Sequence, residues 1–289
     1  MMVLITGACG GLGRAMASEC ARRGFALFLT DICELGLESI QQGLTRQYGV
    51  MVYTHVCDIT NEQQVAAMFE RIGGMEQKPG MLLNIAGIDH EGGFAALPED
   101  RIIDIVRLNI EATLRVTHAA LTVRDRAKRF IIVNVSSLAS LYPMPLKATY
   151  AASKRFLLDF SIALGQELKH ENVSVMALCP GGLPTTDEAL QGIAAQGLWG
   201  SLTTNGLGLV ARRTISRALA GRRVHSRTGQ PDAQYTGCIR AARAGRAAAA
   251  PPLAARPVAM AAQPAMKAIS GALAEKLKHT KSALNMRAL

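Results

Sequence analysis

Thr6-Gly7-Ala8-Cys9-Gly10-Gly11-Leu12-Gly13 (TGACGGLG) stands directly behind a short apolar run, residues 2–6 (MVLIT). It is followed by RAMASECARRG, residues 14–24, whose helical pattern closes at Gly24. Strand, glycine-rich turn and helix make the opening of a βαβ unit. The glycines let the backbone turn sharply and approach a bound pyrophosphate, which rests on the unpaired amides of the helix N-terminus. A glycine pattern alone serves equally well as a packing turn, so its meaning depends on the chain around it.

The rest of the chain repeats the same alternation. FALFLTD (25–31) reads as a second buried strand, with a helix over 33–48 stopped by Gly49. VMVYTHVCD (50–58) is a third, followed by a helix from about Asn61, and MLLNIAG (81–87) is a fourth. A long helix over about 99–121, the strand RFIIVNVSS (129–137), a helix over 150–169 and the strand VSVMALCPGG (173–182) complete the series. LGLVARRTISRALAGRRVH (207–225) adds a helix and a short strand. Short apolar runs alternating with amphipathic helices predict an α/β fold, a Rossmann-type doubly wound parallel sheet in a single domain. Right-handed crossovers then leave few topologies.

After about residue 206 the character of the chain changes. Residues 1–200 hold 17 Lys+Arg against 20 Asp+Glu, whereas 201–289 hold 15 against 2. The formal net charge of +10 therefore belongs wholly to the C-terminal stretch and is no nucleic-acid signal for the first 200 residues. Residues 227–265 are rich in Ala, Arg and Pro, without period, and resemble a disordered tract. They lack the aromatic platform of specific nucleic-acid recognition. The domains expected are thus 1–225 and an atypical basic extension, 226–289. No apolar run approaches the roughly 18–20 residues that span a bilayer, and the N-terminus reaches glycines too soon for a signal peptide. Six scattered cysteines (Cys9, Cys20, Cys33, Cys57, Cys179, Cys238) show no CxxC and no nearby His at metal spacing, so no metal is expected. They read as small buried hydrophobes of a reducing, cytoplasmic compartment.

Asp31 closes the second strand, 18 residues past Gly13, where an acid can bind two ribose hydroxyls. Its bland alternative is a helix N-cap. Asp58, at the end of the third strand, is placed to meet an adenine or to act as a strand-end cap. At the C-terminal ends of later strands, the edge where open α/β sheets bind ligands, lie Asn84-Ile85-Ala86-Gly87, Ser136-Ser137, Tyr150/Lys154 and Pro180-Gly181-Gly182. Asn109 sits in an apolar helix stretch (IVRLNIEA), where its amide either caps a backbone carbonyl or serves a site.

This combination resembles the short-chain dehydrogenase/reductase family. The matching features are the TGACGGLG loop, Asp31, NIAG, Asn109, Ser137 thirteen residues before Tyr150, Tyr150-x-x-x-Lys154 and PGGLPT, over about 1–186. Ile85 stands where the family usually has a second Asn. The resemblance implies an oxidoreductase that moves a hydride between NAD(H) and an alcohol or ketone. Tyr150 would be the general acid and base, its phenol lowered by Lys154 and a bound nicotinamide cation; Lys154 would also hold the nicotinamide ribose. Ser137 would orient the substrate oxygen, and Asn109 would hold a water relaying protons to Lys154. The cofactor would be lined by Gly7, Cys9, Gly10, Gly11, Leu12, Gly13, Asp31, Asp58, Ile59, Asn84, Ala86, Gly87, Tyr150, Lys154, Pro180, Gly181 and Thr185. Asp31 repels a 2′-phosphate and Cys9 brings no cation into the loop, which favours NAD over NADP.

The family also implies a substrate lid over about 183–205, where Leu183, Leu190, Leu198 and Trp199 suggest an apolar substrate. It implies a homodimer or tetramer built on the helices 99–121 and 150–169, with Ile102, Ile105, Val106, Phe156, Leu157, Phe160 and Leu164 on their apolar faces. His90, in the loop after NIAG, borders the pocket or is merely solvated. The competing functions are a catalytically silent cofactor-binding scaffold and a membrane-surface protein using the basic tail. GRRVH resembles a subgroup that continues Pro-Gly-Asn-Arg. The codons from Thr228 onward, read one nucleotide later, can encode Pro-Gly-Asn-Arg-Met-Leu, so residues from about 227 to 264 are read as a shifted frame. Stop codons in the shifted frame of the coding DNA would end that reading.

Overall fold

The computed structural model describes residues 1–181 and 206–226. The expected lid with Thr185, and everything beyond residue 226, lie outside the described residues. Among the latter, seven parallel strands follow the predicted runs: β1 (Met2–Thr6), β2 (Ala26–Asp31), β3 (Val52–Val56), β4 (Pro79–Asn84), β5 (Phe130–Val135), β6 (Val173–Cys179) and β7 (Val224–Ser226). They lie in the order β3-β2-β1-β4-β5-β6-β7. The winding reverses between β1 and β4, with Thr6 paired to Thr30 on one side and to Asn84 on the other. The glycine loop therefore leaves the sheet at its switch point, where the crevice of an open α/β sheet forms.

The helices are α1 (Gly11–Arg22), α2 (Glu34–Tyr48), α3 (Glu62–Gly74), α4 (Glu99–Val106), α5 (Thr113–Val123), α6 (Ala148–Glu167) and α7 (Leu207–Leu219). They cover both sheet faces, which is why the strands are continuously apolar rather than alternating. Val3, Ile5, Leu27 and Leu29 pack with Met16, Cys20, Leu37 and Ile215 on one face. Met2, Leu4 and Phe28 pack with Met68, Ile72, Val116 and Ala120 on the other. Successive strand residues point to opposite faces, so one five-residue run serves both cores. The stop and start signals also hold. Gly49 closes α2 at φ 67, and the Asn61 side chain caps α3 by accepting from the Gln64 amide.

Several expectations change. The helix expected over 99–121 is three segments, with a π-helix at Arg107–Ala112 between α4 and α5, and it runs on to Val123. Period counting assumes 3.6 residues per turn and does not detect such a widening. α6 begins at Ala148 instead of 150, which puts Tyr150 in its first turn. β3 ends at Val56, so Asp58 lies past the strand, where its carboxylate accepts from both the amide and the hydroxyl of Thr60. The cysteines are not uniformly buried: Cys20, Cys57 and Cys179 are, but Cys9 is half-buried and Cys33 exposed. Of the expected interface residues, Ile105 and Leu157 belong to the interior of the protomer. Val106 and Phe156 face out, with the Phe156 and Phe160 rings stacked 5.9 Å apart. Among the described residues no helix is long and apolar enough to cross a membrane.

Candidate active site

Three elements bring Asn109, Ser137, Tyr150 and Lys154 together. Ser137 follows β5 and caps the short 3-10 turn Leu138–Leu141, its Oγ accepting from the Ala139 amide at 3.1 Å. The Ser137 side chain is close enough to the Tyr150 phenol to lower its pKa. Lys154, one helical turn beyond Tyr150, is only 5% exposed; its Nζ donates to the Val135 carbonyl at 3.0 Å and lies 5.7 Å from the Tyr150 ring centre. The neighbouring Ser136 hydroxyl ties α6 to β5 by donating to the Lys154 carbonyl at 2.6 Å.

Asn109 does cap backbone, and it does so at the site. Its Oδ1 accepts from the Ile88 amide at 2.9 Å, while its Nδ2 donates to the Ile88 carbonyl at 3.0 Å and to Ser153 Oγ at 3.1 Å. Fully buried in the π segment, it holds the chain after NIAG against α6. Gly87 is the hinge of that contact. A Cβ there would sit 2.9 Å from Asn109 Oδ1 and 3.1 Å from Lys154 Nζ, so only glycine lets the three approach.

The electrostatics differ from expectation at Tyr150. Burial raises its phenol above the usual range; the Ser137 side chain and the Lys147 ammonium oppose this, and Asp89 adds to it. Lys147 is thus a lysine that lowers Tyr150, while Lys154 faces the Val135 carbonyl and is itself pulled down to about 8 by burial. Lys147 Nζ lies 5.8 Å from the Tyr150 ring centre. It is paired with Asp89 and, at 3.4 Å, with Glu91; burial depresses its ammonium, yet the two carboxylates hold it above the ordinary lysine value. The Gly92 amide also donates to the Leu146 carbonyl at 2.8 Å. The loop after β4 is thus clamped to the segment before α6. Sequence reasoning missed Lys147 and Asp89, although Lys147 precedes Tyr150 by three residues, the spacing of one helical turn.

The glycine loop is packed too tightly for side chains. Gly7 has φ +66, and a Cβ on it would meet the Ala86 backbone at 2.7 Å; one on Gly13 would meet the Gly7 carbonyl at 2.1 Å. Gly10 opens outward and caps α1 with no side chain, and the first turn, Gly11-Leu12-Gly13, carries no acid. The free amides there suit a pyrophosphate. Asp31 accepts from the Cys9 amide at 2.9 Å and from the Cys33 amide at 3.2 Å, so it is not the N-cap of α2, which is Cys33. Ile32 beside it is 73% exposed and offers no charge. Arg14 folds back so that its Nε donates to the Cys9 carbonyl at 2.8 Å. Glycine loop, bare helix end and acid together fit a dinucleotide.

Three expected lining residues sit differently. Asn84 turns inward, its Nδ2 donating to Thr117 Oγ1 at 2.9 Å and to Asn134 Oδ1 at 2.8 Å in a buried network. Its place opposite Thr6 in the sheet is secure, but its side chain does not face the crevice. Ile59 is core, and Asp58 is committed to Thr60. Ala86 donates its amide to Thr6 Oγ1 at 3.4 Å, and Pro180 receives the Leu138 amide at 2.9 Å, so both line the strand ends, with Gly181 next in the chain.

Comparison with known proteins agrees with this geometry. The family model for short chain dehydrogenases matches residues 1–191. A very-long-chain 3-oxoacyl-CoA reductase of Laccaria bicolor is 36% identical over 176 residues, which are 60% of this chain and 52% of that protein. One from Coprinopsis cinerea is 34% identical, over 60% and 51%. The chain spans about half the length of these curated relatives. A short-chain dehydrogenase from Sphingobium yanoikuyae, solved with NADPH, superposes with a TM-score of 0.75 at 25% identity, covering 89% of this chain and 98% of that one.

Proposed function

The chain belongs to the short-chain dehydrogenase family of oxidoreductases, and from that membership we propose that it reduces the 3-oxo group of a long-chain acyl thioester. The observation that carries the reading is the Tyr150 phenol, lowered by the Ser137 side chain, with the buried ammonium of Lys154 5.7 Å from its ring centre. The acyl thioester is suggested by the reductases it resembles. A bound nicotinamide dinucleotide supplies the hydride. Ser137 holds the substrate oxygen in line with the phenol, a positioning contribution. Tyr150 gives its proton to that oxygen as negative charge builds on it, and in the reverse direction removes it. Lys154 keeps its proton up to pH about 8 and favours the phenolate that Tyr150 leaves behind. Asn109 Oδ1 keeps a second lone pair for a water that passes protons between Lys154 and solvent.

For the cofactor, Asp31 beside the uncharged Ile32 favours NAD(H), because a carboxylate repels a 2′-phosphate. A second reading, NADP(H), draws on Arg14, a cation folded over the glycine loop, and on the NADPH-bound relative from Sphingobium. Initial rates with NADH and NADPH separate the two. Under the first, Asp31→Ser shifts the preference toward NADPH by about tenfold or more; no shift sinks the role of Asp31. The substrate is tested with purified protein and 3-oxoacyl-CoA of graded chain length against simple ketones. Turnover of the ketones alone overturns the thioester assignment. We place self-association on the outward face of α4 and α6, at Val106 and Phe156. A monomer in sedimentation at assay concentration would remove that element.

A further inference from the structure

Two thiols that no step of the chemistry uses meet at the edge of the dinucleotide crevice. Cys9 belongs to the glycine loop and Cys33 to the turn between β2 and α2. The Cys9 thiol donates to the Cys33 carbonyl at 3.5 Å. Both sulfurs crowd the point where a Cβ of Gly36 would stand, at 2.7 and 3.0 Å, so the missing side chain of Gly36 is what lets them lie together. Their backbone amides donate to the two oxygens of one carboxylate, Asp31. Cys33 is exposed and Cys9 half-buried, whereas Cys20, Cys57 and Cys179 are buried. A pair so placed is both accessible and joined to the acid that would take the cofactor ribose.

We infer that Cys9 and Cys33 are a reversible thiol–disulfide modification site whose closure by a peroxide weakens dinucleotide binding. Exposed Cys33 meets the oxidant: its sulfur takes one peroxide oxygen to become a sulfenic acid, and the other oxygen leaves as water. Cys9 sulfur then displaces the hydroxyl, which leaves as a second water with the Cys9 proton. The pair loses two electrons and the peroxide gains them. Burial first, then Asp31 and Cys33, push the Cys9 thiol up to about 12, which leaves the exposed Cys33 to meet the oxidant first. Closing to a sulfur–sulfur bond of about 2.05 Å draws the Cys33 turn toward the glycine loop across Asp31. That crowds the carboxylate where ribose hydroxyls are to bind, and the coupling rests on the dinucleotide reading proposed above.

The test uses the full-length protein. After hydrogen peroxide treatment, a non-reducing peptide map is expected to contain a Cys9–Cys33 linked peptide that dithiothreitol removes. Fluorescence titration with NADH and with NADPH is expected to give an affinity at least about fivefold weaker in the oxidised protein, restored by dithiothreitol. In Cys33→Ser, peroxide is expected to leave the affinity unchanged. Absence of the linked peptide overturns the site; a linked peptide with unchanged affinity overturns the coupling. Failure of the reduced protein to bind either dinucleotide overturns the cofactor reading and the coupling together, and is told apart because the linked peptide still forms.

Discussion

Tyr150 and the charges around it set the behaviour of the site at the scale of single residues. Removing the phenol oxygen in Tyr150→Phe is expected to lower kcat by about 10²- to 10⁴-fold while dinucleotide binding, read by fluorescence, stays within about twofold. Asp89 raises the phenol and Lys147 lowers it. An ultraviolet titration of phenolate is therefore expected to shift to lower pH in Asp89→Asn and to higher pH in Lys147→Met; equal shifts in one direction would contradict the assignment. Lys154 is expected to show a different signature. Its folded value of about 8 lies below the ordinary 10.5, so the folded state disfavours its charge. That penalty is full below pH 8 and fades as pH rises toward 10.5, where the unfolded chain also loses the proton. Lys154→Met is thus expected to be inactive yet more stable at pH 7, by up to about 3 kcal/mol, with the gain vanishing above pH 10 in denaturant melts. Much of this cluster was legible in residue types and spacing. The sign at Tyr150 was not, because burial and the Asp89–Lys147 pair arise only when two loops meet.

At the scale of elements, punctuation residues carried the most information. Gly49 and Asn61 end and begin helices for local reasons, a left-handed backbone and a side-chain cap, and local causes can be read locally. The π segment was illegible because period counting assumes 3.6 residues per turn; within it, Asn109 bonds the Ile88 backbone across the site. Asn109→Ala leaves those backbone groups without their partner, and is expected to cost about 1–3 kcal/mol. Hydrogen exchange should localise the loosening to the loop after β4; a uniform loss over the molecule would argue against this clamp. The glycine loop makes a harder statement. Gly13→Ala places a methyl 2.1 Å from the Gly7 carbonyl, so the turn must open, and dinucleotide affinity is expected to collapse well before the fold does.

For the whole molecule, the strand order was foreseeable in kind, since alternating strands and helices admit few windings. Which strands become neighbours decides where ligands act: the crevice lies between β1 and β4. A dinucleotide bound there favours the folded state by mass action, by about 2.7 kcal/mol at a hundredfold excess over Kd. A melting temperature indifferent to both NADH and NADPH would count against a cofactor site at the switch point. The same strand order also governs time. β2 follows β1 closely in the chain, but the other edge of β1 is filled by β4, whose residues Pro79–Asn84 are synthesised much later. At about 5–20 residues per second a ribosome leaves that edge open for several seconds. An apolar strand with one bare edge is a template for wrong pairing. The strand that carries the glycine loop is therefore expected to be exposed to wrong pairing during synthesis, and substitutions slowing β4 are expected to surface as poor yield in cells before any change in the finished protein.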